Sequence, residues 1–136
     1  MPRILAIDYG TKRCGIAVTD TLQMIASGLT TVHSKDIIQW LEKYLAAEPV
    51  ETIVVGEPKD LRGMKTDASD HADGFVTQLK RKFPNMKIAR IDERFTSKMA
   101  TQTIIDSGMK KKDRQNKALV DEVAATIILQ SYLATK

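Results

Sequence analysis

The chain has 136 residues, 43% of them hydrophobic, so it can bury a core without disulfide bonds or a structural metal ion. Its 21 basic and 17 acidic residues give a net charge of +4, which is a modest bias toward polyanionic partners. No stretch approaches the roughly 20 apolar residues of a transmembrane helix, the N-terminus lacks a signal-peptide pattern, and the single cysteine, Cys14, excludes an internal disulfide bond. We therefore expect one cytoplasmic domain that spans residues 1–136.

The chain opens with three predicted strands. Residues 3–8 form an apolar run that ends on the carboxylate of Asp8, and a short turn over residues 10–13 follows. Residues 14–20 predict a second strand that forms a hairpin with the first, and residues 25–33 predict a third strand. These three strands should form an antiparallel meander.

Helices then alternate with strands. Ser34 is the expected N-cap of an amphipathic helix that ends at Pro49. The next predicted elements are a β-branched strand, a helix, a strand and two further helices, at residues 52–56, 68–83, 87–91, 96–108 and 118–133. This order predicts an α/β fold with a mixed five-stranded sheet, antiparallel over the first three strands and parallel afterwards, with helices on both faces.

Three acidic residues share a position at the ends of these elements. Asp8 ends the first strand, Glu93 follows the last strand, and Asp121 begins a helix whose alanines permit a close approach to the sheet. Because the carboxyl ends of the central strands form one edge, the three carboxylates can converge there. Converging carboxylates repel one another unless a cation lies between them, and oxygen ligands without histidine favour Mg²⁺ or Mn²⁺. Such a site suits phosphodiester hydrolysis.

Each of these acids also has an ordinary structural explanation. Asp8 can simply open a turn, and Asp121 can favour the positive N-terminal end of its helix. Glu93 can pair at the surface with Arg90 or Arg94. The coincidence of three acids at predicted element ends favours the metal site.

Basic residues lie in the loops expected near that edge. The candidates to bind a nucleic-acid backbone are a cluster in one loop, Lys110, Lys111, Lys112 and Arg114, and residues in other loops, Lys12, Arg13, Lys59, Arg62 and Arg94. Taken singly, the five residues in other loops are better explained as solvated surface residues, whereas for the cluster a solvated loop without a partner is an equally good explanation. Contacts with phosphates do not distinguish RNA from DNA, so that choice stays open.

Four blocks of sequence carry a resemblance to a known family. They are Ile-Asp-Tyr-Gly-Thr-Lys-Arg-Cys-Gly-Ile-Ala-Val at 7–18, Val-Val-Gly-Glu-Pro at 54–58 with Gly63, Asp-Glu-Arg-Phe-Thr-Ser at 92–97, and Lys-Ala-Leu-Val-Asp-Glu-Val-Ala-Ala-Thr-Ile-Ile-Leu at 117–129. In this order they resemble the YqgF/RuvX family, whose members are described as Holliday-junction resolvases or as nucleases that mature the 5′ end of pre-16S ribosomal RNA.

The resemblance implies an RNase H-like fold and a magnesium-dependent nuclease site. By position, it assigns the catalytic and metal-binding roles to Asp8, Glu93 and Asp121. The family loop usually reads Gly-Leu-Pro, whereas this chain has Glu57 in the middle position. Glu57 is therefore either a fourth carboxylate at the metal site or an exposed charge, and we slightly favour exposure.

The leading hypothesis is a metal-dependent endonuclease that matures the 5′ end of pre-16S ribosomal RNA. The alternatives are a resolvase that cuts branched DNA and a catalytically weak module that binds nucleic acid or a ribosomal particle. An actin-like kinase or ATPase has a similar first strand, but it needs two such domains. A resolvase would need two sites and hence a homodimer, whereas an RNA-trimming enzyme can be a monomer.

Overall fold

The computed structural model describes residues 2–57, 67–92 and 117–135. The strands are β1 Arg3–Tyr9, β2 Arg13–Thr19, β3 Ala26–His33, β4 Val50–Glu57 and β5 Lys87–Asp92. The helices are α1 Ile37–Ala47, which a 3₁₀ turn at Ser34–Asp36 precedes, α2 Asp67–Lys82 and α3 Lys117–Ala134. The helix predicted over residues 96–108 lies outside the described residues. No helix in the described segments is long and apolar enough to cross a membrane.

The five strands form one sheet with the order β3-β2-β1-β4-β5. Strand β2 is antiparallel to both β1 and β3, whereas β1, β4 and β5 are parallel. The predicted mixed sheet is therefore confirmed, with β1 at its centre. Because β1, β4 and β5 run in one direction, their carboxyl ends lie at the same edge of the sheet.

Side chains of the sheet alternate between two hydrophobic layers. Leu5 and Ile7 of β1 face a layer that contains Phe75 and Leu79 of α2. Ile4 and Ala6 face the other layer, which consists largely of small and branched residues of β2, β4 and α3: Ala17, Val54, Ala125, Ile128 and Leu129. The prediction of helices on both faces is thus confirmed. Asp8 continues the series of Ile4 and Ala6, so it belongs to the α3 face.

Glycines allow α3 to lie unusually close to the sheet. A Cβ atom built on Gly15 of β2 would overlap the backbone carbonyl of Asp121 and would lie 2.9 Å from the backbone nitrogen of Glu122. On the neighbouring strand, a Cβ atom on Gly28 would lie 3.4 Å from Oγ1 of Thr126. The backbone of α3 therefore occupies the space that a side chain would fill at Gly15.

The start of α1 differs from the prediction. Ser34 is not the N-cap of a helix; the side chain of His33 caps the 3₁₀ turn by accepting a hydrogen bond at Nδ1 from the backbone nitrogen of Lys35. The α-helix begins later, after Asp36, which makes no side-chain capping bond. Serine is a preferred N-cap residue, but the Ser34 hydroxyl donates instead to the carbonyl of Gly10.

The loop between β2 and β3 is built around one carboxylate. Oδ1 of Asp20 accepts hydrogen bonds from the backbone nitrogens of Ile25 at 3.0 Å and Met24 at 2.8 Å. These bonds stabilise the charged form and hold the pKa of Asp20 below its ordinary value of 3.8. In the same loop Gln23 has a φ of 58°, and its side-chain amide donates to the carbonyl of Pro2.

Replacing Gly15 by alanine should destabilise the fold by at least about 2 kcal/mol, because the atoms in its way are backbone atoms that cannot rotate aside. The matched control is Gly74→Ala in α2, where nothing lies within 4 Å of the added Cβ atom. That change should stabilise the fold by up to about 1 kcal/mol through helix propensity. Urea unfolding measures both; equal effects of the two substitutions would contradict the close approach of α3.

The depressed pKa of Asp20 predicts a specific loss of stability in acid. A carboxylate whose pKa is lower in the folded state contributes stability above its unfolded pKa and loses this contribution as the pH falls through the folded value. We expect the difference in unfolding free energy between the wild type and Asp20→Asn to shrink progressively below about pH 4. The measurement is urea unfolding at a series of pH values, and a difference that stays constant would contradict this role.

Candidate active site

Asp8 and Asp121 come together at the carboxyl edge of the sheet. Asp8 pairs in register with Gly15 of β2, and the backbone of Asp121 lies directly over Gly15. A charge effect agrees with this placement: burial raises the pKa of the Cys14 thiol, and the carboxylates of Asp8 and Asp121 raise it further. Two of the three acids chosen from the sequence thus lie beside the same short segment of β2.

Tyr9 fixes the direction in which the end of β1 faces. Its ring stacks on Phe75 of α2, with ring centroids 4.4 Å apart and planes 13° apart. Since neighbouring residues of a strand point to opposite faces, anchoring Tyr9 on the α2 side directs Asp8 to the α3 side. Asp8 is half-buried there.

A cleft of about 260 Å³ opens beside these carboxylates. It is lined by the turn between β1 and β2 and by the start of the described part of α3: Gly10, Thr11, Lys12, Arg13 and Asp121. Thr11 and Lys12 are exposed, whereas Arg13 and Asp121 are half-buried. The cleft therefore combines a carboxylate with two basic side chains.

Arg13 forms an ion pair with Asp121. Its Nε atom donates to Oδ2 of Asp121 at 2.5 Å, and the two side chains are 36% and 23% exposed. The sequence predicted Arg13 as a phosphate contact, but the structure places it on a candidate catalytic carboxylate. The two residues are 108 positions apart, so no local sequence signal could have revealed this pair.

Ser34 holds the turn that lines the cleft. Its backbone nitrogen donates to the carbonyl of Lys12 at 3.1 Å, and its hydroxyl donates to the carbonyl of Gly10. The Cys14 sulfur lies 3.5 Å from the same hydroxyl. Gly10 is required because a Cβ atom there would lie 2.6 Å from the carbonyl oxygen of Arg13. Sequence reasoning missed this role of Ser34.

Cys14 is a packing residue of this site. It is fully buried in the layer between the sheet and helices α1 and α2. Because burial and nearby carboxylates raise its pKa, the thiol is protonated at neutral pH. A buried thiol that is protonated at neutral pH is not an activated nucleophile.

Glu57 lies at the same edge of the sheet but on the other face. It ends β4 in register with Asp92, and it continues the series of Ile53 and Val55, which pack in the layer beneath α1 and α2. On this face Arg90 donates to the carbonyls of Val55 and Gly56 and pairs with Asp73 of α2 at 2.9 Å. Strand alternation thus directs Glu57 away from the face of Asp8.

The remaining predicted site residues lie outside the described residues. They are the acid Glu93 and the basic residues Lys59, Arg62, Arg94, Lys110, Lys111, Lys112 and Arg114. Within residues 2–57, 67–92 and 117–135, no group of three histidine, cysteine or acidic side chains is arranged to hold a metal ion. Of the three predicted metal ligands, Asp8 and Asp121 lie within these described ranges.

A family model described as "RuvX: Holliday junction resolvase" matches residues 2–135. The chain belongs to this family. Its RuvX-family relatives include a "Putative pre-16S rRNA nuclease" of Flavobacterium psychrophilum, which is 60% identical over 136 residues and covers 100% of this chain and 99% of the relative. A protein of the same name from Phocaeicola vulgatus is 55% identical, with coverage of 100% and 98%.

Solved structures show the fold of this RuvX-family chain. Thermus thermophilus RuvC in complex with a Holliday junction aligns with a TM-score of 0.58 at 16% identity, over 99% of this chain and 98% of RuvC. Fowlpox virus resolvase with Holliday junction DNA aligns with a TM-score of 0.57 at 14% identity, over 98% and 97% of the two chains. The RNase H-like fold expected from the sequence is confirmed.

Proposed function

We propose that this RuvX-family protein is a metal-dependent endonuclease that cuts structured nucleic acid, with pre-16S ribosomal RNA as its substrate. The observation that carries the proposal is the convergence of Asp8 and Asp121 beside a basic cleft at the carboxyl edge of the sheet. Acids at such an edge are placed by rigid elements, which is what a phosphodiester-cleaving site requires.

The donor atoms fit a hard divalent cation. Asp8 and Asp121 supply carboxylate oxygens, and the Cys14 side chain is buried in the layer on the other face of the sheet. Oxygen donors favour Mg²⁺ or Mn²⁺ over zinc. We propose Glu93, which follows β5 in the sequence, as the third ligand. When bound, one or two such ions would activate a water and stabilise the leaving oxygen.

The chain's own groups orient the substrate around this position. The exposed ammonium of Lys12 can bind a phosphate at the mouth of the cleft, and Gly10 keeps the turn free of a side chain where a backbone must approach. We extend this proposal to the basic residues that lie outside the described ranges: Lys59, Arg62, Arg94, Lys110, Lys111, Lys112 and Arg114. All of these groups would position phosphates without reading sequence.

The names of the relatives support pre-16S ribosomal RNA as the substrate. Two relatives with that name are 55% and 60% identical to this chain, and the alignments cover nearly their whole length. Branched DNA is the second candidate. It is favoured by the description of the family model and by the junction complexes of structures with the same fold. The close relatives weigh more, since identities of 14% and 16% support the fold alone.

Asp8→Asn and Asp121→Asn should each reduce cleavage by at least roughly 100-fold, because losing even an outer partner of a metal ligand costs 10–100-fold. The assay compares a pre-16S leader RNA with a four-way DNA junction, with Mg²⁺, with Mn²⁺ and with EDTA, at one salt concentration. Asp36→Asn is the matched control, since it removes the same charge from an exposed position that makes no side-chain capping bond.

Cleavage of the RNA but not the junction by the wild type is the expected result. Cleavage of the junction alone would make branched DNA the substrate in place of pre-16S ribosomal RNA. If the wild type binds both substrates and cuts neither with either ion, the protein is a binding module and the nuclease proposal fails.

A further inference from the structure

The ion pair between Arg13 and Asp121 places a cation on a residue that the proposed nuclease needs as a metal ligand. We propose that Arg13 is a built-in counter-ion, which holds Asp121 when no metal ion is bound and transfers to the phosphate backbone when ion and substrate bind. This inference rests on the proposed function and adds a positioning residue to the proposed site.

The backbones of both partners are fixed. Arg13 begins β2 and pairs in register with His33, and the turn before it is held by two hydrogen bonds from Ser34. Asp121 is held by the contact of its backbone with Gly15. Only rotation of side chains can therefore separate the pair, and the Arg13 side chain is 36% exposed and already lines the cleft into which it would rotate.

The local charges explain why a cation belongs there. Asp8 pairs in register with Gly15 and the backbone of Asp121 lies over Gly15, so the two acids are neighbours and the Arg13 guanidinium offsets part of their mutual repulsion. Arg13 donates to Oδ2 of Asp121, so an ion that binds this oxygen must displace the guanidinium, and an ion at Oδ1 would share the carboxylate charge with it. Metal binding and the ion pair therefore compete for Asp121.

The cleft also provides the alternative position for the guanidinium. Arg13 and Lys12 line the same cleft, beside the exposed turn where a nucleic-acid backbone would lie. Five donors in a planar fork make a guanidinium well suited to a phosphate. The side chain can exchange a carboxylate for a phosphate without any movement of β2.

The first test measures metal affinity by calorimetry in the absence of nucleic acid. Arg13→Ala and Arg13→Gln should bind Mn²⁺ about two- to fivefold more tightly than the wild type, because the ion no longer has to displace the guanidinium. Lys12→Ala removes the same charge from the same cleft without breaking the pair, so it should leave the affinity close to that of the wild type. If the Lys12 and Arg13 variants gain the same Mn²⁺ affinity, the effect is a general repulsion between the ion and the basic side chains of the cleft, and the inference is overturned.

The second test follows Arg13 directly. In the ¹⁵N-labelled protein, the Nε–H signal that disappears in Arg13→Gln should shift when Mg²⁺ is added. A signal that does not change while Mg²⁺ binds would overturn the inference and leave the nuclease proposal intact. If the wild type binds neither Mg²⁺ nor Mn²⁺, both proposals fail.

The third test concerns the phosphate. Binding of an RNA hairpin, confirmed on a gel to be uncut after the measurement, should weaken about tenfold in Arg13→Ala when Mg²⁺ is present. In EDTA the substitution should have little effect, because Arg13 is then held by Asp121. A loss of the same size under both conditions would show that Arg13 is always available to RNA, which contradicts the exchange.

Discussion

The arrangement of the site depends on the close contact between α3 and β2 at Gly15. There the carbonyl of Asp121 occupies the space of a missing side chain. The contact sets the height of α3 above the sheet and brings Asp121 over the residue that pairs with Asp8. Ala125, Ile128 and Leu129 continue this packing along the helix, so burial of apolar surface maintains the placement of a charged group.

This placement brings two carboxylates close together, and a basic residue of the chain offsets the repulsion between them. Carboxylates held together by rigid elements destabilise one another, and the partly buried Arg13 offsets that effect. The elements that carry the charges are anchored away from them: Tyr9 stacks on Phe75, and Ser34 binds the turn before β2. The site is thus fixed in its backbone and adjustable in one long side chain, which is a useful combination where an ion and a phosphate must both bind.

The sequence was informative wherever the signal was local or periodic. The apolar run of β1, the β-branched run of β4 and the helical spacing of α1 and α2 predicted the sheet with helices on both faces, and the end of β1 pointed to Asp8. It was less informative where distant segments meet. Ser34 resembles an N-cap by residue type, but Gly10 and Lys12 take its hydrogen bonds and His33 provides the cap. The pairing of Arg13 with Asp121 depends on how α3 crosses β2, which no local pattern encodes.

The most direct test of the account is the position of a Mn²⁺ ion in crystals grown with this metal. The account predicts an anomalous peak within coordination distance of the carboxylates of Asp8 and Asp121, on the α3 face, with the Arg13 guanidinium moved off Asp121. A peak at Glu57 on the opposite face, or an ion-free Asp8 with the Arg13–Asp121 pair intact at saturating Mn²⁺, would contradict it.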